Sequence, residues 1–294
     1  MKKLFAYRAE KNPKAWLFLI PALVFIITFN VFPLLRTFIM SVRSNSILNP
    51  EFVALENFSF VLKDPLFHRA LKNTAIYAVF VVPVAMIISM LIALVINKEI
   101  KGAKFFESTF FIPYLTSIIA IGIVFRYLFN GHYGLINYIL GLINIGPFEF
   151  LENPKLNMTT LIIFGVWSSL AFNIIILLSG LRSIDKSFYK VADMFGASSM
   201  EQFWKITMPS LIPIITFLSI TNFISAFKVY GQVYSLFNGK AGVGNSAVTA
   251  VFYIFNKFYV ENRYGQGMAA AVLLFIFLLL ITILQRAILK KVSE

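Results

Sequence analysis

Six times along this chain an uncharged, mostly apolar run reaches the length needed to cross a bilayer, and no other feature limits the fold as tightly. A helix rises about 1.5 Å per residue and the hydrocarbon core is about 30 Å thick, so about 20 such residues span it. The clearest run is Asn73 to Asn97, with TAIYAVFVVPVAMIISMLIALVI at its centre. The others are Ala15 to Leu35, Ser108 to Phe125, Leu156 to Leu181, Ile206 to Phe227 and Tyr264 to Gln285. The first follows a basic stretch, as in a signal peptide, but it is 21 residues long and lacks a small-x-small cleavage site, so it reads as a retained span.

Composition agrees: 59% of the 294 residues are hydrophobic and 13% charged, too few polar groups to cover a soluble protein of this size. The sequence therefore predicts an all-α polytopic membrane protein with spans at about 15–40, 73–97, 106–129, 157–181, 206–232 and 264–287. Tyr127 to Phe148 and Ala241 to Asn256 are also uncharged, but Asn, Gly and Pro break them. Each reads as an outer loop whose short helix lies on the membrane or on the bundle.

Basic residues set the orientation. Residues 1–14, the segments 97–107 and 182–205 and the C-terminus hold 15 Lys and Arg, against 8 in the alternate and mostly longer loops. Both ends are thus expected in the cytoplasm, with 1–14 a cytoplasmic segment and 15–294 the membrane domain. The net charge of +13 gathers at the ends of apolar runs, where it faces anionic headgroups of the lipid bilayer, and no nucleic acid partner is expected. No cysteine is present, and His68 and His132 stand too far apart to suggest a metal motif. Arg126, at the outer end of the third span, is placed to snorkel or to pair with Glu149 or Glu152.

Between the fourth and fifth runs lies YKVADMFGASSMEQFWKITMP, with four charges and a central glycine. Lys190 to Phe195 suits one short helix, Gly196 permits a turn, and Ser198 or Ser199 suits the cap of a second. There Met200, Phe203 and Trp204 recur at spacings of three and four, and Glu201 and Lys205 form an i,i+4 pair. Such a helix needs a partner surface, which on these grounds is either the headgroup layer or a cytoplasmic protein.

The stretch resembles the cytoplasmic EAA loop of permease subunits in ATP-binding cassette (ABC) importers, whose pattern is Glu-Ala-Ala, three residues, Gly, nine residues, Ile, one residue, Leu-Pro. Gly196, Ala197 and Ser198 match the Gly and the residues common after it, Ile206 falls ten residues on, and Met208-Pro209 stands for Leu-Pro. The motif's Glu and first Ala are here Lys190 and Val191, while Ala192 keeps the second Ala; Phe195 replaces an Asp that often precedes the glycine. The acidic corner of the motif is thus reversed in sign. ENFSFVLKDPLFHRALKNTAIY, FFIPYL, GHYGLINYIL, AFKVYGQVYSLFNG and YGQGMAAAVLLF are similar to segments of the family's sugar-type branch, so the resemblance covers nearly the whole chain.

The resemblance implies the type I importer permease fold: six transmembrane helices and a coupling loop, 182–208. It also implies a second homologous permease subunit, two ATPase subunits that use ATP and Mg, and a solute-binding protein outside the plasma membrane. The coupling loop would present Lys190, Ala192, Gly196, Ala197, Ser198, Glu201, Phe203, Ile206 and Pro209 to an ATPase. The chain itself carries no phosphate-loop motif and is expected to bind no cofactor or metal and to catalyse nothing. Polar groups inside spans mark packing or a pathway. Ser169 and Asn173 lie four apart and Asn222 and Ser225 three apart, and the resemblance adds Phe172 as a ring for a sugar face. The implied cargo is a sugar or oligosaccharide, with glycerol phosphate, a polyol or another small solute as the alternative. An ion-coupled transporter would be expected to carry carboxylates inside its spans, and a lipid-modifying enzyme to cluster His, Asp or Glu at the interface; neither pattern is evident.

Overall fold

A computed structural model describes residues 14–46, 48–98, 109 and 114–293. Among these the chain is helical, with one isolated antiparallel bridge, Arg43 to Phe52, and no strand. Helices α1 (Lys14–Ile26) and α2 (Phe32–Ser41) join through a π turn, Ile27–Val31, and α3 (Glu56–Lys63) leads to α4 (Pro65–Asn97). Then come α5 (Ile118–Leu128), α6 (Leu135–Gly141) and α7 (Pro154–Ser183). α8 (Lys186–Met194) and α9 (Ser199–Gln202) form a hairpin, and a second π turn, Phe203–Thr207, runs into α10 (Met208–Phe227). α11 (Gly231–Leu236), α12 (Ala250–Phe255) with its π turn Asn256–Val260, and α13 (Tyr264–Ser293) complete the chain.

Among the described residues, five helical stretches are long and apolar enough to cross a membrane: Leu17–Ser41, Pro65–Asn97, Pro154–Ser183, Ser199–Phe227 and Tyr264–Ala287. The third expected span, 106–129, lies partly outside the described residues, and α5 is its described part.

Local chemistry sets the ends of these helices. Asp64 caps α4 by accepting from the Leu66 N–H at 2.9 Å, and Pro65 occupies the first turn, where a missing N–H costs nothing. Thus α4 starts before the apolar run it carries, and its first two turns hold His68, Arg69 and Lys72. Asn153 and Pro154 start α7 in the same way. Lys228 caps the end of α10, so the stretch expected to span 206–232 is helical only to Phe227 before the chain turns into α11. The π turns Ile27–Val31 and Phe203–Thr207 each precede a proline by two residues, Pro33 and Pro209. Proline cannot donate to, and crowds, the carbonyl four residues back; a widened turn passes that bond to a neighbouring residue.

α4 and α7 form the principal seam, and α10 packs on both. Gly165 permits this approach, since a Cβ there would overlap the Tyr77 ring and hydroxyl. α13 packs against α2, α3, α10 and α12, while α11 lies on α5. Apolar side chains gather in two clusters. One holds Phe67, Tyr77, Phe125, Phe164, Phe227 and Phe252, among others; the second holds Ala93, Ile96, Ile174, Leu177, Leu211 and Leu218. The long α4, α7 and α10 contribute to both, and polar side chains occupy the layer between. The two short helices expected to lie on the membrane or on the bundle differ in packing. α6 is largely exposed, whereas α12 buries Ala250, Phe252 and Tyr253 against α4 and α13.

Candidate functional site

The hairpin before α10 is built by its own side chains. Asp185 caps α8 by accepting from the Ser187 N–H at 2.8 Å, and this bond holds the Asp185 carboxyl below the ordinary carboxylate range. At the other end Gly196 has φ +72°, the Gly196 N–H donates to the Asp193 carbonyl and the Ala197 N–H to the Ala192 carbonyl, both at 3.0 Å. This is a Schellman ending, which needs a left-handed residue where glycine stands. Ser198 then opens α9 with a capping box: the Glu201 N–H donates to the Ser198 hydroxyl, and the Ser198 N–H to the Glu201 carboxylate at 2.9 Å.

Two side-chain bonds tie α8 to the following helix. Tyr189 Oη and Thr207 Oγ1 lie 2.8 Å apart, and Gln202 Nε2 donates to Asp193 Oδ1 at 2.7 Å. Ala192, Ala197, Phe203 and Ile206 are half-buried, whereas Lys190, Gly196, Ser198, Glu201 and Pro209 are exposed. The second helix of the hairpin does not end before the fifth span; α9, the π turn and α10 are one helical stretch of 29 residues, Ser199–Phe227.

The expected pathway residues converge on the polar layer. Ser169, Phe172, Asn222 and Ser225 line one cleft of about 350 Å³ with Tyr114, Thr116, Trp167, Ser168, Thr221 and Gln232. Phe172 stacks on Tyr114 with centroids 5.8 Å apart and planes at 20°. Asn173 does not line this cleft. It is fully buried behind the wall, where its Oδ1 accepts from Asn222 Nδ2 at 2.8 Å and its own Nδ2 has no partner. That bond engages one of the two N–H donors of the Asn222 amide. Ser169 donates back to the Gly165 carbonyl at 2.8 Å, which leaves its oxygen lone pairs available to a ligand. Six of these wall residues, Tyr114, Thr116, Trp167, Ser168, Thr221 and Gln232, were not among the expected pathway residues. Gln232 sits on α11, past the helical end of the expected span 206–232, and Tyr114 and Thr116 precede α5.

Near the loops that follow α5 and α11 is a second, larger cleft of about 570 Å³, lined among others by Arg126, Tyr127, Asn130, Glu152, Asn238 and Lys240. Arg126 donates there to Asn238 Oδ1 at 2.6 Å, rather than pairing with Glu149 or Glu152. Among the described residues no group of His, Cys, Asp and Glu is placed to hold a metal ion.

A polytopic helical bundle with a hydrogen-bonded hairpin at one end and a polar cleft between its apolar layers defines a transport subunit. Residues 73–294 match the family model of the "Binding-protein-dependent transport system inner membrane component". The chain belongs to that family, the permease subunits of ABC importers. It is 30% identical to the arabinooligosaccharides transport system permease protein AraP of Bacillus subtilis, over 94% of this chain and 88% of that one. It is also 30% identical to the lactose transport system permease protein LacF of Rhizobium radiobacter, over 90% of each chain. In fold it matches a chain in the crystal structure of a bacterial ABC transporter involved in the import of the acidic polysaccharide alginate, with TM-score 0.81, 19% identity and 96% of each chain covered. The chain is thus a multi-pass protein of the bacterial plasma membrane with the type I importer permease fold.

Proposed function

We propose that this chain forms half of the membrane pathway of an ABC importer for a neutral sugar or oligosaccharide. In this reading it crosses the membrane six times, the third span including α5, with both termini in the cytoplasm, and works with a second permease subunit, two ATPase subunits and an external solute-binding protein. The chain binds no nucleotide; ATP and Mg are used by the ATPases, which push on the 182–208 hairpin.

The observation that carries the reading is the cleft between the two apolar clusters. Its lining offers hydroxyls (Ser168, Ser169, Thr116, Thr221, Ser225), amides (Asn222, Gln232) and rings (Tyr114, Trp167, Phe172). Hydroxyls and amides both donate and accept, as a polyhydroxylated ligand requires, and rings suit the apolar faces of a pyranose. Cargo names of the relatives, arabinooligosaccharides and lactose, point the same way. No charged side chain lines the cleft among the described residues. An unpaired charge at bilayer depth costs about 3 kcal/mol or more, roughly a hundredfold in affinity, so this half of the pathway favours a neutral sugar over a uronate or glycerol phosphate. The test is ATP-driven uptake into liposomes holding the chain with its partner subunits and binding protein. Labelled neutral di- and oligosaccharides should compete for entry, and uronate oligosaccharides and glycerol phosphate should not. Uptake of the anions alone would sink the reading.

A further inference from the structure

The hairpin leaves six large apolar side chains uncovered: Phe188, Val191, Met194 and Phe195 at α8, and Met200 and Trp204 after the turn, with Met194 and Phe195 exposed at 85% and 86%. On α8 these recur at three- and four-residue spacing, a stripe that a soluble surface does not keep uncovered. The charges around it are unequally committed. All three acids already accept hydrogen bonds inside the hairpin: Asp185 from the Ser187 N–H, Asp193 from Gln202, and Glu201 from Ser198, with Glu201 also 3.5 Å from Lys205. Lys190, exposed one turn before Met194, makes no hydrogen bond or ion pair among the described residues.

From this geometry we infer that the ATPase cleft receiving this hairpin has an apolar floor and carries an Asp or Glu at its rim facing Lys190. The inference rests on the proposed function and adds the chemistry of the partner. A desolvated stripe of this kind supplies contact area, while the charge beside it selects among ATPases with similar floors. With the hairpin's own acids engaged, the uncommitted charge it offers at this position is positive. A basic rim would set like charges together at Lys190, and a neutral rim would leave the ammonium without a partner as the interface closes.

The experiment uses the assembled transporter. Carbodiimide, which joins amines to carboxylates in direct contact, is applied to the complex of both permeases and the ATPases, and the adducts are mapped by mass spectrometry. ATPase retention is then measured against salt for the wild type, Lys190→Ala and Lys190→Glu, after thermal melting has shown that the exposed substitutions leave the permease folded. The expected result is a Lys190 adduct to an ATPase Asp or Glu, with affinity lower by about tenfold in Lys190→Glu and a shallower salt dependence in Lys190→Ala. Retention of the ATPase by Lys190→Glu within about twofold of wild type, with an unchanged salt slope, overturns the acidic rim and leaves the permease reading intact. A wild-type chain that retains no ATPase overturns both.

Discussion

Lys257 tests whether the end of the bundle at α3 and α12 is held by a buried charge cluster. Its ammonium lies 2.8 Å from Glu261 Oε2 and 3.5 Å from Asp64 Oδ2, over the rings of Phe60 and Tyr253, and its side chain is 9% exposed. Asp64 also accepts from Tyr253 Oη at 2.8 Å and caps α4, so the cluster fastens the return segment that carries α12 to the second span. Removing one partner of a buried pair costs about 3–5 kcal/mol when the other charge is stranded. In Lys257→Met, Asp64 keeps Tyr253 and the Leu66 N–H, while the half-exposed Glu261 regains water and keeps Arg263 at 3.7 Å. The loss should therefore be smaller, about 2–3 kcal/mol. A double-mutant cycle with Asp64→Asn should give a coupling of about 1.5 kcal/mol or more, above the 0.2–1 kcal/mol of exposed pairs. The assay is reversible unfolding in mixed micelles, followed by tryptophan fluorescence. Acid supplies a second arm. Burial pushes the Asp64 carboxyl up, but the Tyr253 hydroxyl, the Leu66 N–H and the Lys257 charge together outweigh it, so its folded pKa lies below the ordinary value. Its stabilisation is then present above the ordinary carboxylate range and fades as pH falls through that range towards the lowered value. Without Lys257 less of it exists to lose, so the gap between wild type and Lys257→Met should narrow in acid. A coupling below about 0.5 kcal/mol, or a gap independent of pH, would refute a desolvated cluster.

Gly196→Val should lower ATP-driven uptake by about 5–30-fold while the protein still inserts, because a Cβ there meets nothing within 4 Å and only the left-handed backbone, about 1–2 kcal/mol, stands against it. Gly196→Asn, which enters that region at lower cost, should keep most of the uptake; equal activity in both variants would show that the turn is dispensable. Gly165→Ala, at the α4–α7 seam, should lower stability by about 1–3 kcal/mol through overlap with Tyr77, and Tyr77→Leu in the same chain should recover part of it on the same unfolding assay.

Much of the bundle is legible in hydrophobic length alone, because in lipid an apolar run of about 20 residues has few alternatives to a helix. What length does not reveal is where a helix begins in polar sequence. α4 starts at Pro65, and the signal was a cap, Asp64-Pro65, rather than hydropathy. Spacing placed Gly196 and Ser198 correctly as turn and cap, since those roles are local. Partners from distant segments were not legible: Gln232 comes from α11 to a cleft formed mainly by α7 and α10, and Lys257 meets Asp64 from the far end of the chain. Asn173 shows the limit of reading polar residues within a span. Position gives depth, but a shift of one residue on α7, from Phe172 to Asn173, separates the cleft wall from the layer behind it.

Under the proposed function, continuity of the hairpin with α10 changes what the cleft needs in order to respond to an ATPase. Met200, on the hairpin, and Asn222 and Ser225, at the cleft, lie on one helical stretch of 29 residues, about 43 Å long. A tilt of about 5° would move one end relative to the other by about 4 Å, several times the roughly 1 Å that separates a formed from a broken hydrogen bond to a sugar hydroxyl. No separate relay is then required between the two sites, provided the stretch moves as a body. Two places limit its stiffness, the π turn at Phe203–Thr207 and Pro213, and they are unequally supported. The π turn is braced from outside the helix by the Tyr189 hydroxyl on Thr207 and, just before it, by Gln202 on Asp193. Pro213 is flanked by Leu211 and Ile214, packed in the apolar cluster with Leu177 and Leu181 of α7. Both braces tie the stretch to the chain immediately before it, so α7, α8 and α10 are set to move together, and the displaced wall of the cleft is the one that carries Ser169, Phe172, Asn222 and Ser225.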